Sequence, residues 1–204
     1  MIMSLSRLRE WLLNSIPMSL RFAMGAAVGL FLGLLAVFAI SQFTGSATDT
    51  TKAKAMVTVA TKSADNWALL AQECGVSKTI AAGDTGKVLN ILMGSQSVTA
   101  AALTGVDDAC YNSSGIRPLT GMTKYDGTAH KYENFTVTLS SVGTRHLGVV
   151  YTGVTSEVFT ELFKQLKGGT TPIATATLAA SANESLAYTA ETGGKRTVTV
   201  IRPL

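Results

Sequence analysis

The sequence is short of charge, of cysteine and of histidine, and each shortage excludes a class of protein. Charged residues make up 15% of the 204 positions and hydrophobic residues 47%. This balance excludes an intrinsically disordered chain, because such chains combine low apolar content with high net charge. The two cysteines and two histidines lack the paired short spacings that a structural zinc site requires. The net charge of +4 is too small and too scattered to predict nucleic-acid binding.

The apolar residues are concentrated near the N-terminus. Residues 22–40, FAMGAAVGLFLGLLAVFAI, include no charged and no strongly polar side chain. As a helix at about 1.5 Å per residue this run would be roughly 28 Å long, close to the hydrocarbon thickness of a bilayer. Arginines precede the run, whereas the first charge after it is Asp49. The positive-inside rule therefore predicts a cytoplasmic N-terminus, with the chain after about Thr44 on the other side of the membrane.

This segment has three interpretations. A secretory signal peptide would usually have a shorter apolar core that ends in small residues at a cleavage site. An uncleaved anchor would carry an exported domain. In the third interpretation a basic leader, residues 1–25, ends at Gly25. Cleavage there would leave most of the apolar run at the N-terminus of a mature chain that starts at Ala26.

The third arrangement resembles the leader of a type IV pilin, which a prepilin peptidase cuts after a glycine at the cytoplasmic face. The long leader, SLSRLREWLLNSIPMSLRFAMG at residues 4–25, is similar to that of the type IVb subclass. Most pilins carry a glutamate at the fifth mature position, where this chain has Leu30, and no acid occurs between residues 26 and 47. The missing glutamate is more typical of some minor, tip-located pilins.

Residues 46–74 predict an amphipathic helix, because they include no proline and no glycine. Either Ser46 or Asp49 can cap its start, and Gly75 can close its end. Because only Gly45 separates this helix from the apolar run, the two can form one long helix with a flexible point near Gly45. Apolar residues recur on one face at steps of three and four: Ala53, Met56, Val57, Ala60, Ala64, Trp67, Ala68 and Ala71.

The rest of the chain, residues 75–204, predicts a small α+β head. Residues 134–139 and the start of 146–154 alternate between apolar and polar side chains, and residues 195–201 are rich in β-branched side chains, so all three predict strands. Residues 156–166 place apolar side chains on one helical face with Ser156 as N-cap. Residues 85–93 fit a helix or a short strand. We predict an antiparallel sheet of about three to five strands, laid on the second half of the N-terminal helix.

The segment at residues 135–166 also resembles a pilin. FTVTL, followed by GVVYTGVTSEVFTELFKQL, is similar to the head of type IVb pilins from conjugative plasmids and related systems. Those heads have a strand that ends in a tyrosine, then a short turn and a helix with an apolar face. The resemblance implies a pilin-like organisation: leader (1–25), transmembrane and filament-core helix (26–45), amphipathic helix (46–74) and globular head (75–204).

The two cysteines predict a single disulfide if the head lies outside the cytoplasm. Cys74 ends the amphipathic helix, and Cys110 follows two aspartates. Cysteines in an oxidising compartment most simply pair, and closing a loop of about 36 residues would stabilise the fold by about 3–4 kcal/mol. The alternative is a pair of free buried thiols.

The sequence gives little support to catalysis, so we expect no enzyme, no cofactor and no metal. His130 and His146 are separated by two strand-like pieces, with no motif for a nucleophile near them. The glycines before Lys87 lack the spacing of a phosphate-binding loop. Asp107 and Asp108 could ligate calcium, although such a pair is more often a solvated turn.

A mixed basic and aromatic segment has two interpretations. It could contact DNA or a host surface, or it could form a solvated hairpin, which we favour. Its residues are Lys124, Tyr125, Lys131 and Tyr132.

The resemblance to type IVb pilins implies a structural pilus subunit. It would insert in the inner membrane, be processed after Gly25 and polymerise into an extracellular filament for adhesion, motility or conjugation. Its partners would be copies of itself, a prepilin peptidase and the assembly machinery, with no specific nucleic acid. The alternatives are an unprocessed membrane-anchored periplasmic binding or accessory protein and a minor pseudopilin of a secretion system. Gly29 and Gly33 would form a small-xxx-small face for close helix packing, and the expected filament-core residues are Ala26, Gly29, Leu30, Gly33 and Phe38.

Overall fold

A computed structural model describes residues 18–204, and within residues 18–47 it describes side chains only at positions 27 and 29–31. The chain divides into two compact units, Met1–Ala47 and Thr48–Leu204. The predicted leader lies outside the described residues except for the backbone of residues 18–25. Most side chains of the apolar run at 22–40 also lie outside them. Among the described residues, no helix is both long enough and apolar enough to cross a membrane.

The first helix among the described residues, α1, covers Met18–Cys74. The predicted caps at Ser46 and Asp49 are wrong, because both residues lie inside α1, and the backbone through Gly45 follows the alternative interpretation of one long helix. No proline interrupts the segment, so nothing removes a backbone hydrogen-bond donor there. The predicted C-terminal end is confirmed. Gly75 adopts a left-handed φ of 65°, and the amide of Val76 donates to the carbonyl of Ala71 at 3.0 Å, as in a Schellman motif.

Four shorter helices follow in the second unit. They are α2 (Thr85–Leu92), α3 (Val98–Ala101), α4 (Asp108–Ser113) and α5 (Ser156–Leu166). The bounds of α5 are as predicted, but its N-cap is Thr155 rather than Ser156. Strand β4, His146–Thr155, continues directly into α5, so Thr155 retains its extended conformation and Ser156 is already helical.

The sheet has six strands, all antiparallel, in the order β1-β2-β3-β4-β6-β5. The predicted count of three to five was too low, because β1, β2 and β5 have only two or three residues and cannot show a period-two pattern. The remaining strands are β1 (Lys124–Tyr125), β2 (His130–Tyr132), β3 (Phe135–Val142), β5 (Leu186–Tyr188) and β6 (Lys195–Pro203).

The main core lies between the second part of α1 and one face of the sheet. Alternate residues of β3, β4 and β6, such as Val137, Val149 and Val198, are fully buried there. The predicted face of α1 is largely confirmed, although Val57 and Ala68 are only half-buried. The buried apolar residues of α1 are Ala53, Met56, Val59, Ala60, Ala64, Trp67, Leu70 and Ala71. The α+β class and the antiparallel sheet are therefore confirmed.

Candidate functional site

The first candidate site is a short apolar stretch near the start of α1. Leu30 and Phe31 are 69% and 61% exposed, and Ala27 and Gly29 are exposed beside them. A Cβ added at Gly29 would meet no described atom within 4 Å. In the single chain this stretch therefore offers two large apolar side chains and a position where another helix could approach closely. We call residues 27–31 the apolar stretch.

The other residues predicted for processing, packing and bending lie where only backbone is described. The backbone there is helical, and the side chains lie outside the described residues, so these predictions stay predictions. The residues are Gly25, Ala26, Gly33, Phe38 and Gly45.

Further along α1, a buried hydroxyl joins the helix to the centre of the sheet. The Tyr151 hydroxyl donates to the Met56 carbonyl at 2.8 Å, and neither residue is exposed to solvent. Burial raises the pKa of Tyr151 far above its ordinary value of 10, so this phenol stays protonated and keeps donating. The contact fixes which turn of α1 lies over β4.

Polar contacts around this core hold the rest of α1 to the head. The Lys52 ammonium lies 2.9 Å from a Glu133 carboxylate oxygen, and this hydrogen bond raises the pKa of Lys52. The Trp67 indole donates to the Lys78 carbonyl at 2.7 Å, and Arg202 Nε donates to the Thr61 hydroxyl at 3.1 Å. Because these contacts extend over residues 52–67, the second part of α1 is an integral element of the head.

The end of α1 is fixed by the predicted disulfide, which the structure confirms. Cys74 and Cys110 are bonded, with their Cα atoms 5.1 Å apart. Beside the disulfide, the Ser113 hydroxyl donates to a Glu73 carboxylate oxygen at 2.6 Å. The last turn of α1 is therefore tied to α4 by a covalent bond and a charge-assisted hydrogen bond.

His130 is buried, and its imidazole is saturated with hydrogen bonds. Its Nε2 donates to Asn90 Oδ1 at 2.8 Å and also lies 3.2 Å from the Ser95 hydroxyl. The Thr123 hydroxyl lies 3.1 Å from Nδ1. Burial lowers the pKa of His130, and the carboxylate of Asp126 opposes this effect in part. The ring joins α2 to the first two strands, while His146 lies apart from it at the start of β4.

The mixed basic and aromatic segment forms a hairpin. Strands β1 and β2 pair, with Lys124 opposite Lys131 and Tyr125 opposite His130. The Lys131 ammonium lies 2.7 Å from an Asp126 carboxylate oxygen. Hydrogen bonds from Lys131 and from backbone amides of the turn hold the pKa of Asp126 well below its ordinary value. This arrangement agrees with the interpretation as a solvated hairpin.

The remaining candidate residues have local structural contacts. The Asp107 carboxylate accepts from the Cys110 amide at 2.9 Å and so caps α4, and Asp108 accepts from the Thr99 hydroxyl at 3.0 Å. Lys87 lies 2.9 Å from an Asp84 carboxylate oxygen. In the part of the chain that the structure describes, no group of three His, Cys, Asp or Glu residues could hold a metal.

Sequence reasoning missed Arg196, a buried cation in β6. Its guanidinium lies 4.5 Å from the centroid of the Phe159 ring and donates to the carbonyls of Ile173, Ala176 and Thr189 at 3.0–3.2 Å. The arginine thereby holds the irregular segment before β5 against α5. A charged residue in an otherwise β-branched strand was the only available signal, and it does not reveal carbonyl partners.

The chain was compared with models of protein families, with curated proteins and with solved structures, and no match was found in any of the three comparisons.

Proposed function

We propose that this chain is a structural subunit of an extracellular filament, a type IV pilus of the IVb-like kind. In this proposal the subunit inserts in the inner membrane, a prepilin peptidase cuts it after Gly25, and the assembly machinery adds it to the filament. Copies of the chain are its main partners, and the filament serves adhesion, motility or conjugation. No catalytic reaction is part of this role.

The exposure of Leu30 and Phe31 is the observation that carries the proposal. Burying a side chain of this size is favourable by about 1.5–3 kcal/mol, so leaving both in water is unfavourable. Before assembly, lipid would cover these two side chains. After assembly, the α1 helices of neighbouring subunits would cover them. The sequence run at residues 22–40 extends the same apolar character in both directions.

The construction of the head supports a role outside the cytoplasm. The Cys74–Cys110 disulfide is typical of oxidising compartments. Two contacts fix the second part of α1 to the rest of the head. Lys52 pairs with Glu133, and Arg202 donates a hydrogen bond to Thr61. In a filament, a head held in this way would be presented around a core of packed α1 helices.

Leu30 favours a minor or tip position for the subunit. Leucine replaces the glutamate that most pilins use to pair with the N-terminus of a neighbouring subunit. Without that ion pair, cohesion would rest on apolar packing of residues 26–44. We therefore expect the subunit to be less abundant than the one that forms most of the filament.

N-terminal sequencing of the protein from sheared filaments and from membranes tests the proposal. We expect filament material to start at Ala26 with a methylated amine and the membrane precursor to retain residues 1–25. Gly25→Val should block processing and remove the protein from the filament fraction. An intact N-terminus found only in membranes would contradict the proposal.

The same experiment separates the alternatives. An unprocessed membrane-anchored periplasmic binding or accessory protein is favoured by one observation, an open cleft in the head that is described below. A minor pseudopilin would be processed at Gly25 but would appear with a secretion system instead of in surface filaments.

A further inference from the structure

An open cleft lies beside α1, between the helix and the loop at residues 115–122. Its volume is about 460 Å³, within the usual range for small-molecule sites. Lys62, Asp65 and Asn66 form the helix wall, and the loop wall includes Arg117 and Met122. Because Lys62, Asp65 and Asn66 are three and four residues apart, they lie on the same face of α1.

The loop wall is held in place by the fold. The Asn66 side chain donates to the Arg117 carbonyl at 3.0 Å, and the Leu119 amide donates to the Leu92 carbonyl at 2.8 Å. Leu119 is buried. Pro118 packs so closely on Gly94 that a Cβ at Gly94 would lie 2.9 Å from the Pro118 Cβ. A ligand would therefore meet a cleft that is already formed, which reduces the entropy lost on binding.

The charged side chains of the cleft are not neutralised within the head. Lys62, Asp65 and Arg117 are exposed, and none of them belongs to an ion pair among the described residues. By contrast, Lys52, Lys87, Lys131 and Lys164 each have a carboxylate within 2.9 Å. The cleft thus combines two unpaired cations with one unpaired carboxylate.

We propose that this cleft binds a sugar acid, a saccharide that carries one carboxylate. The guanidinium of Arg117 and the ammonium of Lys62 bind the carboxylate, because hydrogen bonds between two ionised groups are stronger than those to a neutral acceptor. Asp65 and the Asn66 side-chain oxygen are acceptors, so they take hydrogen bonds from sugar hydroxyls. Pro118 and Met122 contact the less polar face of the ring.

The charge balance favours this class over a simple anion. Two cations and one carboxylate leave a local charge of about +1, which matches a monoanion. Phosphate and acetate could pair with Arg117, but they have few or no hydroxyl donors to offset repulsion by Asp65, whereas a sugar acid has several. A neutral sugar would offer neither cation an ionised acceptor. A ligand with both a carboxylate and hydroxyls can bind the two cations and Asp65 together.

The binding experiment is an NMR titration of the full-length chain in detergent micelles. The probes are sodium glucuronate, sodium N-acetylneuraminate, glucose and sodium acetate, and the amide signals of residues 115–122 report binding. We expect at least one sugar acid to bind at least tenfold more tightly than glucose or acetate. Whichever of the two sugar acids binds more tightly identifies the ligand class, a hexuronic acid or a sialic acid. Failure of both to bind, or equal binding of acetate, would overturn the proposal.

Variants distinguish the sugar-acid site from a general anion site. Arg117→Gln and Lys62→Gln should each weaken binding at least tenfold, while Lys195→Gln, an exposed lysine outside the cleft, should leave it unchanged. Asp65→Asn is the sharpest test when sugar-acid and acetate binding are compared in the same variant. Repulsion by the Asp65 charge is common to both anions, but only the sugar acid loses a strong hydroxyl acceptor, so the ratio of sugar-acid to acetate affinity should fall several-fold. An unchanged or larger ratio would overturn the proposal.

Thermal unfolding of each variant in the same micelles checks that the fold is retained. Any one of the three cleft variants that unfolds like the wild type is sufficient for the test. Wild-type binding in such a variant at Arg117 or Lys62 would overturn the proposal. The proposal does not depend on the pilus function, because the titration measures the unassembled chain and N-terminal sequencing measures the filament. Either result can fail without the other.

Discussion

At the scale of single residues, this head is distinguished by buried polar side chains that are hydrogen-bonded to distant parts of the chain. Tyr151, His130 and Arg196 are each at most 3% exposed, and each is hydrogen-bonded to a residue that is distant in the sequence: Met56, Asn90 and Ile173, respectively. A buried polar group without a partner would cost about 1–3 kcal/mol. These three residues therefore determine where the helices and loops lie against the sheet.

Replacing Tyr151 with phenylalanine should destabilise the head by about 1 kcal/mol, because it removes one buried hydrogen bond and keeps the ring. Urea unfolding measured by circular dichroism would show the change. Tyr188→Phe is the matched control, since the Tyr188 hydroxyl has no hydrogen-bond partner among the described residues. Its ring contacts with Phe159 and Phe163 would remain. Equal effects of the two substitutions would contradict our assignment of the Tyr151–Met56 bond.

His130 should make the head less stable as the pH falls below about 6.5. Burial lowers the pKa of folded His130 below its ordinary value of 6.5, so the unfolded chain binds more protons in this range. The stabilising contribution is fully present above the unfolded pKa and is lost as the pH falls toward the folded pKa. Unfolding free energies from urea titrations at about pH 7.5 and about pH 5.5 would show the decrease. His130→Gln should reduce the difference between the two pH values, and an unchanged difference would contradict the assignment.

At the scale of elements, the turn after α2 is packed tightly against the cleft loop. Gly94 has a φ of +68°, and an added Cβ would lie 2.8 Å from Thr120 Cγ2. Gly94→Ala should therefore destabilise the head by at least about 2 kcal/mol, from strain at a positive φ and from the contact itself.

Gly86→Ala is the control for this substitution. Gly86 lies within α2 and has open space where a Cβ would be, so alanine should be neutral or stabilising by up to about 0.5–1 kcal/mol. Urea unfolding of both variants gives the comparison. Tolerance of alanine at position 94 would show that this turn is not packed as described.

The disulfide is the strongest single link between two elements. Reduction should lower the free energy of unfolding by about 3–4 kcal/mol, as expected for a closed loop of this size in the chain-entropy model. Urea unfolding with and without dithiothreitol measures the difference. The double substitution Cys74→Ser and Cys110→Ser should match the reduced wild type. A loss below about 1 kcal/mol would mean that the bond constrains the unfolded chain little.

The length of each element decided whether its sequence pattern could predict it. The face of α1 from Ala53 to Ala71 and the three longest strands could be predicted, because several repeats of a period identify each of them. Strands β1, β2 and β5 could not, because they contain at most three residues. Such strands form because a neighbouring strand supplies hydrogen bonds, and a local window does not include that neighbour.

At the scale of the whole molecule, the proposed filament depends on apolar contacts between α1 helices. The joint substitution Leu30→Ala and Phe31→Ala keeps the segment apolar and helical but removes most of its packing surface. We expect at least a tenfold decrease in sheared filament material, measured by immunoblotting and electron microscopy, with unchanged unfolding of the head.

Ile173→Ala is the matched control for filament packing. Ile173 is 74% exposed but belongs to the head. Its truncation should leave the filament yield unchanged. Equal losses from the two changes would indicate that the apolar stretch has no special role in assembly.

Local repeats in the sequence were enough to predict the buried face of α1, the long strands and the helix at residues 156–166. The disulfide followed only on the assumption of an exported head. The fold brings together residues that no local pattern connects: Tyr151 binds Met56, Arg196 is buried, and Lys62 and Arg117 line one cleft. Those contacts join residues that are far apart in the chain. Periodicity determines which face of an element is buried, but the partner on that face depends on how the elements pack.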